Sequence, residues 1–203
     1  YSRNACFEIA KKLGYTYFLE LDDHYTHFGY RFNAKGKYSE KTIHQNIDSV
    51  FYHVLNFYKK IPALTISLSQ SGDYVGGKNG SYVDSIKIKR KAMNSFFCST
   101  ERPFQFIGRI NEDVNTYTKI GSMGGLIFQI NNVCLYQLQT QSNSGGMTET
   151  YLDGGTYLKS FYTVMYSPSC TKINLMGYKN MRLHHKINWN TAVPKIISED
   201  LKK

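Results

Sequence analysis

Two neighbouring carboxylates and a histidine follow an apolar stretch near the beginning of the chain. In the sequence YFLELDDHY, residues 17–25, Asp22, Asp23 and His24 come directly after residues that favour a β-strand. Two adjacent like charges are unfavourable unless a lysine, an arginine or a metal ion lies near them. An Asp-x-His triplet at a strand end can bind a divalent cation, Mn²⁺ rather than Ca²⁺, which would bridge a diphosphate. The same residues also suit a capping aspartate beside a surface histidine, and this alternative stays open.

A second acidic pair, Glu112 and Asp113, follows the apolar sequence FQFIGRI, which we predict to form a strand over residues 104–110. A carboxylate here could take a proton from an attacking hydroxyl group, the role of a general base. The alternative is that Asn111 or Asp113 caps a short helix, VNTYTKI. The two interpretations are compatible, because a helix N-terminus favours the ionised form of a carboxylate.

Two adjacent histidines, His184 and His185, are candidates for a third metal ligand. Successive side chains of a strand point to opposite faces, so we expect at most one of the two to face a given site. A histidine in isolation is more often structural than a ligand. The pair therefore gains a metal-binding role only in combination with the first acidic group.

The glycines contain no nucleotide-binding motif of the common kinds. No P-loop or GxGxxG pattern occurs in the chain, which disfavours an ATPase or a standard dinucleotide enzyme. Gly76 and Gly77, in the glycine-rich loop 71–81, could let the backbone approach a donor sugar or base closely. Ordinary turns are the alternative.

The charge of the chain favours an anionic partner such as nucleic acid or a nucleotide. Among 203 residues, 25 are basic and 15 acidic, giving a formal net charge of +10. A basic surface that serves only solubility is equally compatible with the charge alone. The candidate contacts to nucleic-acid phosphates are Lys87, Lys89, Arg90, Lys91 and Arg109.

Cysteine spacing and hydropathy bear on the compartment. The four cysteines are widely separated and form no CxxC pair, so zinc and a dense disulfide framework are both disfavoured. We expect reduced, mostly buried thiols in a cytoplasmic protein. No apolar run is long enough to span a bilayer, and we expect no membrane partner.

The elements that position these residues alternate between helix and strand. A helix over residues 3–13 ends at Gly14 and leads into a buried strand over 15–21. The apolar stripe predicted for this helix consists of Ala5, Cys6, Ile9, Ala10 and Leu13. This α/β unit carries its acids at the carboxyl end of the strand, where open α/β sheets bind ligands. A β-excursion over 28–38 and a helix over 39–61 capped by Ser39 follow. The remaining predicted elements are strands over 63–70, 124–139 and 170–177, a polar loop over 140–157, a helix over 158–169 and a basic, aromatic tail over 178–190.

The order of these pieces resembles a GT-A glycosyltransferase. The helix SRNACFEIAKKLGY precedes the acidic motif in LELDDHY, the NED sequence resembles the catalytic acid segment of inverting members, and a histidine comes late in the chain. The sequences GRINEDVNTY and LDGGTYLKSFY resemble the TET-associated glycosyltransferases found in phages. The resemblance implies one GT-A-like domain over residues 1–203, with a mixed sheet flanked by helices. It also implies a chain truncated at its N-terminus, without the first nucleotide-binding strand.

The resemblance further implies a metal-dependent, inverting transfer of a sugar from a UDP-sugar to 5-hydroxymethylcytosine, a hydroxymethylated pyrimidine, in DNA. Asp22, His24 and either His184 or His185 would bind Mn²⁺ or Mg²⁺, and Asp22 or Asp23 would contact the donor. Asp113, or Glu112 in its place, would be the base. The target base would be flipped out of the duplex, with loop 140–157 as a lid, in the cytoplasm of a phage-infected bacterium.

Three other functions stay open from the residues. A glycosyltransferase with a protein, glycan or lipid acceptor would keep the same metal and base. A non-enzymatic nucleic-acid-binding module would use the acids only as turn caps. A nucleotidyltransferase would also use acids at strand ends, but it would release pyrophosphate in place of a nucleoside diphosphate.

Overall fold

The structure, a computed structural model, describes residues 2–33, 35, 37–70, 86–89, 91–92, 95–137, 157–176 and 181–202. Three sets of predictions fall outside these residues. They are the glycine-rich loop with Gly76 and Gly77, the cation Arg90, and all but the last residue of loop 140–157.

A mixed sheet forms the centre of the fold, and the described residues form four α-helices around it. The described strands of the sheet have the order β1-β6-β4-β7-β2-β3, and β5 pairs with β7. Among the described strands only β4 and β7 pair in parallel, and a separate antiparallel hairpin follows them in the chain. The predicted mixed α/β fold is confirmed. The strands are β1 (Tyr17–Leu21), β2 (Tyr25–Phe32), β3 (Tyr38–Thr42), β4 (Thr65–Gln70), β5 (Ile86–Lys87), β6 (Ser95–Ser99) and β7 (Ile127–Gln137), with β8 (Thr171–Met176) and β9 (Arg182–Ile187) in the hairpin. The helices are α1 (Ser2–Lys12), α2 (Ile47–Lys60), α3 (Glu112–Ser122) and α4 (Leu158–Tyr166).

The sheet is strongly curved at the end that carries Asp22. Strands β1 and β2 lie four positions apart in the sheet, which is about 19 Å if the sheet is flat. The chain joins Leu21 to Tyr25 in four steps, which span at most about 14 Å. The register of β7 against β4 also shifts here, because Leu68 pairs with Ile130 and Ser69 with Cys134. The extra residues bend β7 and bring β2 towards the end of β1.

Apolar side chains cover both faces of the sheet. Along β6, Phe96 and Cys98 belong to one buried cluster and Phe97 to the other, as the alternation of a strand requires. Residues of α1 and α3 pack on the first face, and residues of α2 pack on the second. All four cysteines are free thiols, as predicted, and three of them are buried.

The first helix agrees with its prediction in extent but not in its buried face. Helix α1 spans Ser2–Lys12, and Gly14 follows with φ +76°, the left-handed conformation expected after a helix C-terminus. The residues buried on α1 are Phe7 and Ala10, whereas Ile9 and Leu13 of the predicted stripe are exposed. The buried face is rotated because Phe7 packs edge-on against Phe18 of β1, with ring centroids 5.0 Å apart.

The helix predicted over 39–61 begins later than expected. Residues Tyr38–Thr42 form β3, which pairs with β2, and the helix begins at Ile47 with Asn46 as its N-cap residue in place of Ser39. Hairpin pairing with the preceding strand β2 decides the conformation of residues that a helical pattern also suits. The predicted strands over 63–70, 124–139 and 170–177 and the helix over 158–169 are confirmed with shorter limits, and part of the predicted tail forms β9.

The strand predicted over 104–110 is absent, and this segment is irregular instead. Side chains satisfy its backbone in place of a sheet ladder. The Asn4 side chain accepts from the Phe106 N–H at 2.8 Å and donates to the Phe106 carbonyl at 3.0 Å. Asn115 donates to the carbonyls of Ile107 and Ile110. Because α1 and α3 both hold this segment, they fix the position of the acids that follow it.

Candidate active site

Arg3 joins the two acidic groups that the sequence singled out. Its Nη2 donates to Oδ1 of Asp22 at 2.7 Å, and its Nε donates to Oε1 of Glu112 at 3.0 Å. The guanidinium also lies over the rings of Phe96 and Phe106, at 5.1 and 5.4 Å from their centroids. Arginine is therefore the cation that accompanies Asp22, and it brings residues far apart in the sequence to one site.

Asp113 is buried at the N-terminus of α3, next to this pair. Its Oδ1 accepts from the Val114 N–H at 2.7 Å, and 7% of the residue is exposed. Burial raises the pKa of Asp113 to about 6, and the charge of Glu112 adds to the rise. The cost of desolvating the carboxylate therefore exceeds the stabilisation of its ionised form by the helix N-terminus. The result is a base that is ionised at neutral pH but stronger than an exposed aspartate.

The helix that carries this base begins after Asn111, one of the two predicted N-cap residues, but the Asn111 side chain does not cap it. It spans Glu112–Ser122, and Asn111 is its N-cap residue with φ 58° and no side-chain capping hydrogen bond. The Asn111 amide instead donates to Oγ1 of Thr163 on α4 at 2.5 Å. The start of α3 is therefore anchored to α4, and Asp113 is held between them.

Glu20 is a site residue that the sequence analysis missed. It precedes Asp22 by two residues, so both side chains project from the same face of the strand. Glu20 is 6% exposed, and neither carboxylate oxygen has a well-formed hydrogen bond from a described residue, although the Cys6 thiol lies near it. Burial raises the pKa of Glu20 to about 7. The acid-x-acid spacing in LELD was the signal that could have identified it.

The other two residues of the acidic triplet face outwards. Nδ1 of His24 lies 2.5 Å from Oδ1 of Asp23, and the Asp23 side chain is 88% exposed. Burial, opposed by Arg3, raises the pKa of Asp22, which is the triplet residue that faces the site. Asp22 therefore belongs to the candidate site, whereas Asp23 and His24 lie at the surface.

The expected metal ligands, as arranged, do not fit a divalent cation held by protein side chains alone. Asp22 is paired with Arg3, and His24 with Asp23. Within the part of the chain that the structure describes, no three His, Cys, Asp or Glu side chains form a group that could hold a metal ion. Such an ion would depend on oxygen ligands from a bound phosphate. Metal dependence stays a prediction.

The two late histidines lie together on β9. Their ring centroids are 4.2 Å apart at an angle of 77°, so the expectation that the side chains point apart is wrong. Burial, then the charges of Lys159 and Arg182, lower the pKa of His184. Burial also lowers the pKa of His185, to about 3. Both rings are therefore neutral at physiological pH.

The predicted basic cluster separates into individual contacts. Lys87 lies on β5, Lys89 Nζ donates to Oδ1 of Asn190 at 3.1 Å, and Lys91 Nζ donates to Oε1 of Gln70 at 3.3 Å. Arg109 is exposed just before α3. Of these cations, Lys91 is the one whose charge reaches the histidines on β9.

Residues 1–146 match the family of TET-associated glycosyltransferases. The chain belongs to this family. The matched residues include Arg3, Glu20, Asp22, Glu112 and Asp113, so every acid of the site lies inside the match. The resemblance inferred from the sequence is confirmed. Neither a curated protein nor a solved structure matches the chain significantly.

Membership of the TET-associated glycosyltransferase family supports an enzyme that transfers a sugar, which requires a sugar donor and an acceptor. Helix α4 and the β8–β9 hairpin, with both late histidines, lie beyond the matched residues. In the described part of the chain, no helix has the length and apolar character needed to cross a membrane.

Proposed function

We propose that this protein transfers a sugar from a nucleotide-sugar, with a UDP-sugar as donor, to the hydroxymethyl group of a hydroxymethylated pyrimidine such as 5-hydroxymethylcytosine in DNA. The observation that carries the proposal is the bridge from Asp22 through Arg3 to Glu112, which puts the acids at the end of β1 beside the buried Asp113. A strand-end acid that can contact the donor and a buried base that can take the acceptor proton suit a glycosyl transfer with inversion. The family match supports the same reaction class.

Asp113 is the candidate base. An acceptor hydroxyl attacks the anomeric carbon of the donor sugar, its proton passes to the Asp113 carboxylate, and the bond from that carbon to the diphosphate oxygen breaks. A nucleoside diphosphate leaves with the bonding electrons. Attack from the face opposite the leaving group inverts the configuration, which is the stereochemistry we propose. A base with a pKa of about 6 is matched to this proton transfer at neutral pH.

Asp22 and Glu112 are the candidate positioning groups. Arg3 holds one oxygen of each, so their remaining oxygens keep fixed directions. We assign Asp22 to the donor side, with Asp23 at the exposed rim beside it, and Glu112 to the acceptor side. The Mn²⁺ or Mg²⁺ predicted from the sequence would neutralise part of the negative charge on the leaving diphosphate.

The formal charge of +10 supports DNA as the acceptor. A nucleobase inside a DNA duplex cannot reach a buried carboxylate, so the acceptor nucleobase would be flipped out of the stack. A protein or glycan acceptor would need neither the charge nor the flipping. Affinity for DNA that falls steeply with salt therefore distinguishes the two kinds of acceptor.

The experiment is sugar transfer measured by the mass of the product nucleoside. The protein is incubated with Mn²⁺, a panel of UDP-sugars and DNA that carries either 5-hydroxymethylcytosine or cytosine. The DNA is then digested to nucleosides, whose masses are measured by mass spectrometry. We expect a gain of one sugar mass on the hydroxymethylated base only, abolished in Asp113→Asn and retained in Glu199→Gln, a control at an exposed acid. Release of UDP without a modified DNA product would refute DNA as the acceptor. No turnover of any UDP-sugar would refute the proposed sugar transfer.

A further inference from the structure

We propose that His184 and His185, together with Lys91, Lys159 and Arg182, form a binding site for a phosphate group and not a metal site. The inference rests on the proposed function only for the source of the phosphate, which is either the donor diphosphate or the DNA backbone. The chemistry of the side chains is the same for both sources.

Helix α4 brings Lys159 to this place. The helix packs on β9 and on α3, and Thr163 joins it to Asn111 at the start of α3. Lys159 lies one helical turn before Thr163, whose Oγ1 donates to the Lys159 carbonyl at 3.2 Å. The charge of Asp113 acts on Lys159, which is itself largely withdrawn from solvent. Lys159 is therefore close enough to interact electrostatically with both the candidate base and the histidines.

The two imidazoles offer buried polar atoms that lack a partner. Nδ1 of His185 and Nδ1 of His184 are both inaccessible to solvent, and neither has a well-formed hydrogen bond to a described residue. The ring of His184 only approaches the backbone of His185. An unpaired buried polar atom costs free energy that a bound ligand can recover. A neutral imidazole can donate one N–H to a phosphate oxygen.

Lys91 shows at which end of the sheet the cluster lies. Its Nζ donates to Oε1 of Gln70, the last residue of β4. Strands β1 and β4 both run antiparallel to β6, so Gln70 and Asp22 lie at the same end of the sheet. The cationic cluster is therefore at the same end of the sheet as the acids that hold Arg3, and it offers the opposite charge.

These surroundings favour an anion over a metal ion. Lys159, Arg182 and Lys91 act on the histidines, and each of these charges repels a divalent cation and attracts a phosphate. Lysine and arginine are the usual phosphate-binding side chains in proteins. The charged groups around the late histidines therefore do not fit the metal-ligand role that the sequence suggested for these two residues.

The test is binding of inorganic pyrophosphate, UDP and a single-stranded oligonucleotide, each measured by calorimetry in EDTA at 0.15 M salt. The variants are Lys159→Gln, His185→Gln and Arg182→Gln, of which the last is at an exposed position where folding is not at risk. Lys172→Gln is the matched control, since it removes the same charge from the neighbouring strand of the hairpin. Circular dichroism verifies that each variant is folded.

We expect pyrophosphate and UDP to bind on the order of ten- to a hundredfold more weakly to the three variants, and unchanged to the control. A loss confined to the oligonucleotide would support the site with DNA as the source of the phosphate. Equal affinity of wild type and variants for all three probes would overturn the proposal. So would a loss of Mn²⁺ affinity in His185→Gln with pyrophosphate binding intact.

The outcome is separable from that of the proposed function. Binding that depends on the cluster, in a protein without sugar transfer, would retain this inference and reject the reaction. The opposite result is sugar transfer by the wild type together with binding of pyrophosphate, UDP and oligonucleotide that none of the three substitutions changes. That result would retain the reaction and reject this inference.

Discussion

Replacing Asp113 by asparagine should make the protein more stable at neutral and alkaline pH, although it removes the candidate base. The carboxylate is buried, and its pKa is raised from 3.8 to about 6 by burial and by the charge of Glu112. A raised pKa means that the folded state favours the protonated form. The ionised wild type therefore loses stability as the pH rises from about 4 through 6, whereas asparagine has no charge to desolvate.

The magnitude follows from the two pKa values. A shift of about two units corresponds to about 3 kcal/mol at a pH well above both values. The same linkage gives about 0.5 kcal/mol at pH 4, because the unfolded carboxyl group is then only about half ionised. The stability difference between Asp113→Asn and wild type should therefore grow with pH and level off above about pH 7.

Urea unfolding at 25 °C from pH 4 to pH 8 measures this difference. Asparagine can still accept the hydrogen bond from the Val114 N–H, so the substitution removes the charge and keeps the local contact. Asp200→Asn is the control, because it removes an exposed carboxylate in the C-terminal 3₁₀ turn. Lower stability of Asp113→Asn at pH 8, or a difference that does not change with pH, would refute the reasoning.

Two further predictions concern the same site. Arg3→Ala leaves Asp22 and Glu112 facing each other without a cation, and it should destabilise the protein by about 1–3 kcal/mol at pH 7, less than for a fully buried pair because both acids are about one-third exposed. Urea unfolding measures this loss of stability, and Arg3→Lys should lose less stability than Arg3→Ala. A urea midpoint of Arg3→Ala equal to that of the wild type would contradict the pairing. The kcat/KM of sugar transfer should rise with pH through about 6 as Asp113 loses its proton. A profile without an inflection between pH 5 and 7 would exclude Asp113 as the base.

Local features of the sequence were sufficient for most of the elements. The apolar spacing in α2 and the buried run of β4 predict their own conformation, because helical and strand periodicities differ and both stretches bury apolar side chains. Gly14 marks the end of α1 because the left-handed conformation after a helix is accessible to glycine at little cost. The sequence also singled out Asp22, Glu112 and Asp113 as candidates, because each of these acids follows an apolar run.

The errors occurred where distant partners decide the local conformation. Residues 104–110 are as apolar as a strand, yet Asn4 and Asn115 satisfy their backbone from two different helices. Residues 39–42 suit a helix, yet they pair with β2. In both cases the deciding hydrogen bonds come from other parts of the chain, which a local pattern does not contain.

The sequence by itself determined the family, the α/β class and three acids of the candidate site, Asp22, Glu112 and Asp113, because these depend on residue types and short spacings. Only the tertiary structure decided which charges meet. Arg3 pairs with both Asp22 and Glu112, Glu20 joins the candidate site from the same strand face, and the two late histidines lie among cations. Electrostatic free energy depends on distance and burial in three dimensions, and the order of residues along the chain contains neither quantity.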